Sequence, residues 1–330
     1  MKYKSVVATQ RGGPEVIQIE ENELRLPVEG QARVRVLATA VCQDDLAIRT
    51  GNRPFLKKTP FVPGYSFIGT IDAIGAGVKD VKVGDRVAAL TKYGSHSEVI
   101  YWNARELVHV PESLDPAEAV VLILNYLVAY QILYRVAQVK AGDKALIVGA
   151  SGGVGTAFLQ LGKLAGLKMY GLASPSKHKA LSEYGAIPID YHRQDIVGKI
   201  RRAEPNGLDF VFNGMGEEYF ERGLSVLRRG GLLVHYGAPQ SLARFLLLIA
   251  KLLFYNLLPN GRKIEGYGTH RLGVDLFKRD WMALFKLLEG GLIKPVIAAR
   301  LPLLEARKAY ELLESGQVTG NLVLLAPELL

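Results

Sequence analysis

The sequence predicts an α/β protein in two parts, a β-rich unit followed by an open, doubly wound parallel sheet. Three observations predict it. Short apolar runs broken by glycine and proline fill about the first 110 of the 330 residues. Strands alternate with helical stretches from Asp115 onward, and one of those strands runs straight into a glycine-rich turn that opens a helix. A chain of this length also exceeds what one hydrophobic core usually serves.

Taken in order, residues 32–38, 67–74 and 86–90 read as strands, rich in apolar and β-branched side chains. Gly75-Ala76-Gly77 and Gly84-Asp85 supply turns between them, and Pro60, Pro63 and Gly64 punctuate a loop. Asp115-Pro116-Ala117-Glu118 carries the marks of a helix start: a capping Asp, proline at the first helical position and an acid in the first turn. Beyond it, strands at 144–149, 168–172, 209–213 and 231–236 alternate with helices at 154–165 and 177–184, as in βαβ units. From about His270 there follow an amphipathic helix at 275–288, a proline-bearing bend, a helix near 304–313 and a closing strand at 321–325. No internal repeat or low-complexity linker interrupts this order.

Composition narrows the function classes. The 41 basic residues against 32 acidic ones give a net charge of +9, a mild bias. It comes without a zinc finger, an RNA-recognition signature or a basic–aromatic tract, so nucleic acid is not an expected partner. A single cysteine, Cys42, excludes an intramolecular disulfide and a four-cysteine zinc site, and fits a reducing compartment. The apolar run at residues 6–8 is too short for a secretory core, so cytoplasmic location is expected. The histidines at 96, 109, 178, 192, 235 and 270 show no metal-type spacing.

The sharpest motif is the run from Ala145 to Gly155, ALIVGASGGVG. An apolar strand enters a turn with glycines at 149, 152, 153 and 155 and leaves it as a helix. Glycine serves where the chain turns tightly and where backbone must approach a pyrophosphate, and the helix start offers free N–H groups to the phosphates. A site for NAD normally has Asp or Glu at the end of the next strand, to accept from the ribose 2′-hydroxyl. Here that strand runs into Leu172-Ala173-Ser174-Pro175-Ser176-Lys177-His178-Lys179, with no acid before Glu183. Hydroxyls and lysines suit a 2′-phosphate, so NADP(H) is the expected cofactor.

Six stretches then resemble one family in order and spacing: AVCQDDLAIRTG at 40–51, PFVPGYSFIG at 60–69, VGDRV at 83–87, LNYLVAYQIL at 124–133, SKHKAL at 176–181 and IDYH at 189–192. The chain resembles, over essentially its whole length, the quinone oxidoreductase branch of the medium-chain dehydrogenases/reductases, near zeta-crystallin and the vesicle amine transport protein homologues. The resemblance implies a GroES-like, partly open β-barrel catalytic domain in two segments, 1–120 and 269–330. A Rossmann domain at 121–268 is inserted between them, with the active cleft between the two domains. It implies that Ser174, Lys177 and Tyr191 hold the 2′-phosphate, and that Gly149, Ser151, Gly152, Gly153, Val154 and Gly155 form the pyrophosphate turn. Asn213 and the Tyr236-Gly237-Ala238 segment would pass the ribose and nicotinamide. Asn125 and Tyr126 would lie beside the nicotinamide, with Cys42 and Tyr126 lining the substrate. It also implies a homodimer paired through the stretch 263–268.

Departures from the family pattern set the chemistry. Zinc-dependent relatives have His and Glu where this chain has Tyr65 and Ser66, and Cys42 alone cannot supply the three protein ligands a catalytic zinc needs. No metal is therefore expected. Zinc-free relatives commonly have Asn and Tyr where this chain has Cys42 and Ala47. Without a Lewis acid, the accessible reaction is hydride transfer from reduced nicotinamide to an acceptor already electrophilic, a lipophilic quinone or activated enone. Tyr65 and Tyr130 are the candidate proton donors, against water as donor and against both being hydrogen-bonded core tyrosines. Asp44 and Asp45 beside Cys42 would raise its thiol, so it reads as a small lining residue and not a nucleophile. Two other readings stay open: an enoyl reductase on an acyl or polyketide-type substrate, and a non-catalytic, membrane-associated NADP(H)-binding protein on the same scaffold.

Residues 242–258, LARFLLLIAKLLFYNLL, are apolar except at Arg244, Lys251 and Asn256, and no acid occurs between Glu221 and Glu265. Seventeen residues with two cations make a poor transmembrane span. Arg244 and Lys251, seven apart, are expected on one face. One reading is a helix packed on its own domain or on a dimer mate. The other is a lid over the cleft that rests peripherally on anionic membrane.

Overall fold

The computed structural model describes every residue except 54–56, 194 and 270–272; His270, where the last segment was expected to begin, lies among these. The chain divides into two units, one made of Met1–Leu127 with Val274–Leu330 and the other of Val128–Gly273.

In the first unit, strands β1 (Lys2–Ala8) and β2 (Ile17–Glu23) form an antiparallel pair. Strand β3 (Gln31–Val41) is the spine of a larger sheet. It alternates as a half-buried strand should: Ala32, Val34 and Val36 point into the core, while Arg33 and Arg35 share Asp72 on the other face. After the short helix α1 (Gln43–Arg49), strands β4 (Ser66–Ile74), β5 (Arg86–Leu90), β6 (Val99–Asn103) and β7 (Val108–His109) follow. Helix α2 (Pro116–Val121) starts as expected, with the Asp115 carboxylate accepting from the Ala117 N–H. It runs on through a π-helical turn at Leu122–Tyr126, α3 (Leu127–Gln131) and a second π turn at Ile132–Val136. By length and composition this stretch could cross a bilayer, but most of it is buried and it is a core helix. The first unit keeps the helix as far as Leu127, past the expected limit at 120, because residues 122–126 pack on β4 and β5.

The second unit is a regular alternation. Strand β8 (Lys144–Val148) leads to helix α4 (Gly153–Leu164), β9 (Lys168–Ala173) to α5 (His178–Glu183), and β10 (Ile187–Asp190) to α6 (Ile196–Ala203). Then β11 (Leu208–Asn213) leads to α7 (Phe220–Val226), and β12 (Leu227–His235) to α8 (Leu242–Leu257) and β13 (Lys263–Gly266). All six strands are parallel, in the order β10-β9-β8-β11-β12-β13. Counted from β8 that is 3-2-1-4-5-6, the dinucleotide-binding order, which reverses between β8 and β11. The edge strand β13 is not left bare at its centre. The Asn256 side chain donates to the Ile264 carbonyl at 2.8 Å and accepts from the Ile264 N–H at 2.9 Å.

The chain then returns to the first sheet. Helix α9 (Val274–Glu289) buries Trp281, whose indole N–H donates to the Ile123 carbonyl at 3.0 Å. Strand β14 (Ile297–Pro302) lies parallel to β15 (Asn321–Leu325), with helix α10 (Ala306–Glu314) between them in sequence. Strand β15 pairs antiparallel with β3, completing the order β14-β15-β3-β4-β5-β7 with β6 also on β3. Among the described residues the path does not close on itself, as a partly open barrel requires.

Candidate cofactor and active site

In a sheet of this order, ligands sit outside the carboxyl ends of the strands at the reversal. Strand β8 ends there at Val148 and turns at Gly149, whose φ of +80° disfavours any other residue. Ser151 sits in the turn, and Gly152 caps α4 in an extended conformation. The first-turn N–H groups of Gly153, Val154 and Gly155 have no acceptor within their own helix by geometry and are available to phosphate oxygens.

The turn's glycines have different reasons to be glycine. A Cβ on Gly155 would come within 2.2 Å of the Gly149 carbonyl oxygen, so helix and strand can pack this closely only without one. A Cβ on Gly152 would meet nothing nearer than that same oxygen at 3.6 Å, ordinary contact. The fold alone leaves room at Gly152, and a pyrophosphate lying on the turn would use that room. This is the fit expected of a dinucleotide cradle.

The 2′-phosphate candidates gather at the ends of β9 and β10. Asp190 is in register with Ala173, so Tyr191 and Ser174 are the next residues out on neighbouring strands. The Ser174 and Ser176 hydroxyls are 3.3 Å apart. Lys177 is half-buried, and desolvation lowers its pKa; an adjacent phosphate would offset that cost. The Tyr191 ring lies tilted against that of His192, with ring centres 4.0 Å apart. Asp190, the acid preceding Tyr191, turns its carboxylate to the His192 backbone N–H, and it lies on the third strand and not at the end of the second.

Asn213 was expected at the ribose. Its amide closes its own loop, accepting from the Met215 N–H at 3.0 Å and donating to the Gly216 carbonyl at 2.9 Å. The side chain is fully buried, so its part is to shape this loop. The loop it shapes puts Met215 over Gly149: a Cβ there would lie 3.3 Å from the Met215 sulfur. Sequence reasoning missed Met215, and its position between Gly214 and Gly216 was the available signal. The Tyr236 ring covers Gly214 and lies 5.5 Å from Phe158, and burial pushes its phenol pKa up. Gly237 passes so close to the Met215 carbonyl that a Cβ would sit 2.6 Å from it. Gly149, Asn213, Met215, Tyr236 and Gly237 therefore form one cluster. Tyr130 is half-buried, its ring 4.8 Å from that of Tyr134.

In the first unit, Asn125 lies within the π-helical turn, a distortion that often marks functional sites. Its amide donates to the Asn321 side-chain oxygen at 2.6 Å, and Asn321 is itself fixed to the Val296 carbonyl. Tyr126 is fully buried. Cys42 caps α1, and its thiol donates to the Asp45 carboxylate at 3.2 Å. Asp45, also buried, takes the Gly64 N–H at 2.9 Å on its other oxygen. Sequence reasoning used Asp45 only as a charge; the structure makes it the clamp between Cys42 and the loop that carries Tyr65. Burial, then Asp45 and Asp44, push the Cys42 thiol well up, which excludes a ready thiolate. Burial, with Asp44, Cys42 and Asp45 adding to it, also raises Tyr65. His96, depressed by burial, is neutral: its Nε2 donates to the Ala40 carbonyl and its Nδ1 accepts from the Tyr310 hydroxyl at 3.1 Å.

Comparison with known proteins agrees with this geometry. Residues 28–112 match the alcohol dehydrogenase GroES-like domain, and residues 185–324 match a family described as zinc-binding dehydrogenase. The human synaptic vesicle membrane protein VAT-1 homolog is 31% identical, covering 98% of this chain and 86% of the relative. Human quinone oxidoreductase is 28% identical over 98% of this chain and 97% of its own. The crystal structure of Escherichia coli quinone oxidoreductase complexed with NADPH superposes with a TM-score of 0.88 at 26% identity, covering 98% of this chain and 99% of that one. Zinc does not fit this chain: its cysteine is held protonated on Asp45, Tyr65 stands at the histidine position, and among the described residues no three His, Cys, Asp or Glu side chains converge. The chain belongs to the medium-chain dehydrogenase/reductase superfamily, in the branch that contains the quinone oxidoreductases and the VAT-1 homologues.

Proposed function

We propose that this protein is an NADP(H)-dependent oxidoreductase that reduces a lipophilic quinone or activated enone without a metal. The observation that carries the reading is the pairing of an open glycine cradle at Gly152 with a phosphate-type strand end, Ser174, Lys177 and Tyr191, where an NAD site has an acid. Bound NADPH supplies the hydride. Gly152, Gly153 and Val154 hold the pyrophosphate, Lys177 and its neighbours the 2′-phosphate, and the Tyr236–Gly237 segment the nicotinamide end. Cys42 contributes a small uncharged wall to the substrate side. Tyr65, kept protonated by its surroundings, donates a hydrogen bond to the acceptor's carbonyl oxygen as charge grows there, and water delivers the proton.

The reading includes a cytoplasmic homodimer with a peripheral membrane contact. Pairing through 263–268 would cost the two Asn256–Ile264 hydrogen bonds, so the dimer contact either displaces that amide or lies on another surface. The test of function is oxidation of NADPH by the purified protein with a panel of quinones and enones. Turnover with NADPH that falls sharply with NADH supports the reading. Binding of NADPH without turnover on any acceptor would favour a non-catalytic role on the same scaffold.

A further inference from the structure

Of the four methionines in the chain, Met215 lies against the glycine turn of the second unit. Met169 is 1% exposed and belongs to the core, whereas Met215 is 53% exposed. A Cβ on Gly149 would meet the Met215 sulfur at 3.3 Å and its Cγ at 3.4 Å. Apart from the chain neighbours of Gly149, no other described residue comes within 4 Å of that position. The thioether is therefore the cover on the open side of the turn. The backbone beneath it is pinned. The Met215 N–H donates to the Asn213 side-chain oxygen at 3.0 Å, and the Asn213 amide donates to the Gly216 carbonyl at 2.9 Å. A Cβ on Gly214 would lie 2.4 Å from the Tyr236 ring, and one on Gly237 would lie 2.6 Å from the Met215 carbonyl oxygen. The loop cannot withdraw the side chain from the turn without breaking these contacts.

A thioether is soft, apolar and a weak acceptor, so the reduced side chain leaves the first-turn N–H groups of α4 to phosphate oxygens. Its sulfoxide is a different neighbour, polar where the thioether was not. Beside the positive end of α4, the sulfoxide oxygen competes for the N–H groups of Gly153, Val154 and Gly155. Its partial charge also opposes an anionic pyrophosphate. Exposure of Met215 supplies the access that oxidation needs. Hydrogen peroxide supplies the oxygen. Its O–O bond breaks as the S–O bond forms, and sulfur gives up two electrons. The proton of the transferred oxygen passes to the departing one, which leaves as water. The Cys42 thiol does not compete for the oxidant, because it is buried and held protonated on Asp45.

We infer that Met215 is a peroxide-sensitive modification site whose sulfoxide weakens NADP(H) binding at the glycine turn. This rests on the cofactor reading in the proposed function and adds a redox control to that same site. The test treats the full-length protein with hydrogen peroxide and then removes the oxidant. Peptide mass spectrometry locates the added oxygen, and calorimetry titrates NADPH before and after treatment. Met215 should take up one oxygen, and NADPH affinity should fall by about tenfold, near the worth of one hydrogen bond to a charged group. Bound NADP+ should slow oxidation at Met215 but not at Met282, which is 46% exposed on α9 of the other unit. Met215→Leu should bind NADPH equally before and after peroxide, whereas Met282→Leu should lose affinity as wild type does. An unoxidised Met215, an oxidised Met215 with unchanged affinity, or a Met215→Leu variant as sensitive as wild type would overturn the inference. In each of these cases NADPH binding by the untreated protein leaves the cofactor reading standing. Untreated wild type that binds no NADPH would overturn both.

Discussion

Burial decides what Tyr65 can do. Desolvation, reinforced by Asp44, Cys42 and Asp45, raises its pKa, so in the proposed reaction it would serve as a neutral hydrogen-bond donor and not as an acid that ionises. Tyr65→Phe should therefore lower kcat/KM by about tenfold to a hundredfold, the worth of a hydrogen bond to developing charge. The pH profile should keep its shape, and steady-state kinetics across pH measure both. A second residue acts on stability alone. Desolvation pushes Glu204 up, but hydrogen bonds from Lys144, Lys168 and Tyr170 outweigh it and hold the carboxyl at about 2, against 4.5 unperturbed. A depressed carboxyl stabilises the fold above its unfolded pKa, and that contribution is lost as pH falls from 4.5 towards 2. Glu204→Gln should be less stable near neutrality by about 1.5–3 kcal/mol, with the gap closing in acid, read from denaturant unfolding at several pH values.

At the scale of elements, the glycine turn separates folding from binding. Gly155→Ala forces a methyl onto the Gly149 carbonyl and should cost about 1–3 kcal/mol, lowering the melting temperature. Gly152→Ala meets only ordinary contact, so the fold should hold while NADPH affinity drops. Equal loss of stability in both variants would contradict the assignment of Gly152 to the ligand. This turn was legible because strand, turn and helix each leave a local mark. The capped helix start at Asp115 and the strands β5 and β15 were legible for the same reason. Strand β10, four residues with a proline inside, and the short helices α1, α6 and α7 were not. Their stability comes from neighbours distant in sequence, and local pattern carries little of it. Asp45 is the equivalent case in the site. Its sequence position shows a charge beside Cys42, whereas its role depends on Gly64 arriving from another loop.

For the whole molecule, the return of β15 to pair with β3 is what makes the first unit discontinuous, and only the family resemblance pointed to it in the sequence. Light scattering at micromolar concentration should show the proposed dimer, and a monomer would count against it. Asn256→Ala, by baring the β13 edge at Ile264, should strengthen association if that edge is the contact and leave it unchanged if it is not. The central claim is that the second unit is built for NADP(H), and calorimetric titration of NADPH and NADH into the wild type and Lys177→Ala tests it most directly. The account predicts that NADPH binds the wild type at least about tenfold more tightly than NADH. Lys177→Ala should weaken NADPH by about 1.5–3 kcal/mol and leave NADH nearly unchanged. Equal affinities of the wild type for the two cofactors, or an equal loss of both in Lys177→Ala, would contradict it.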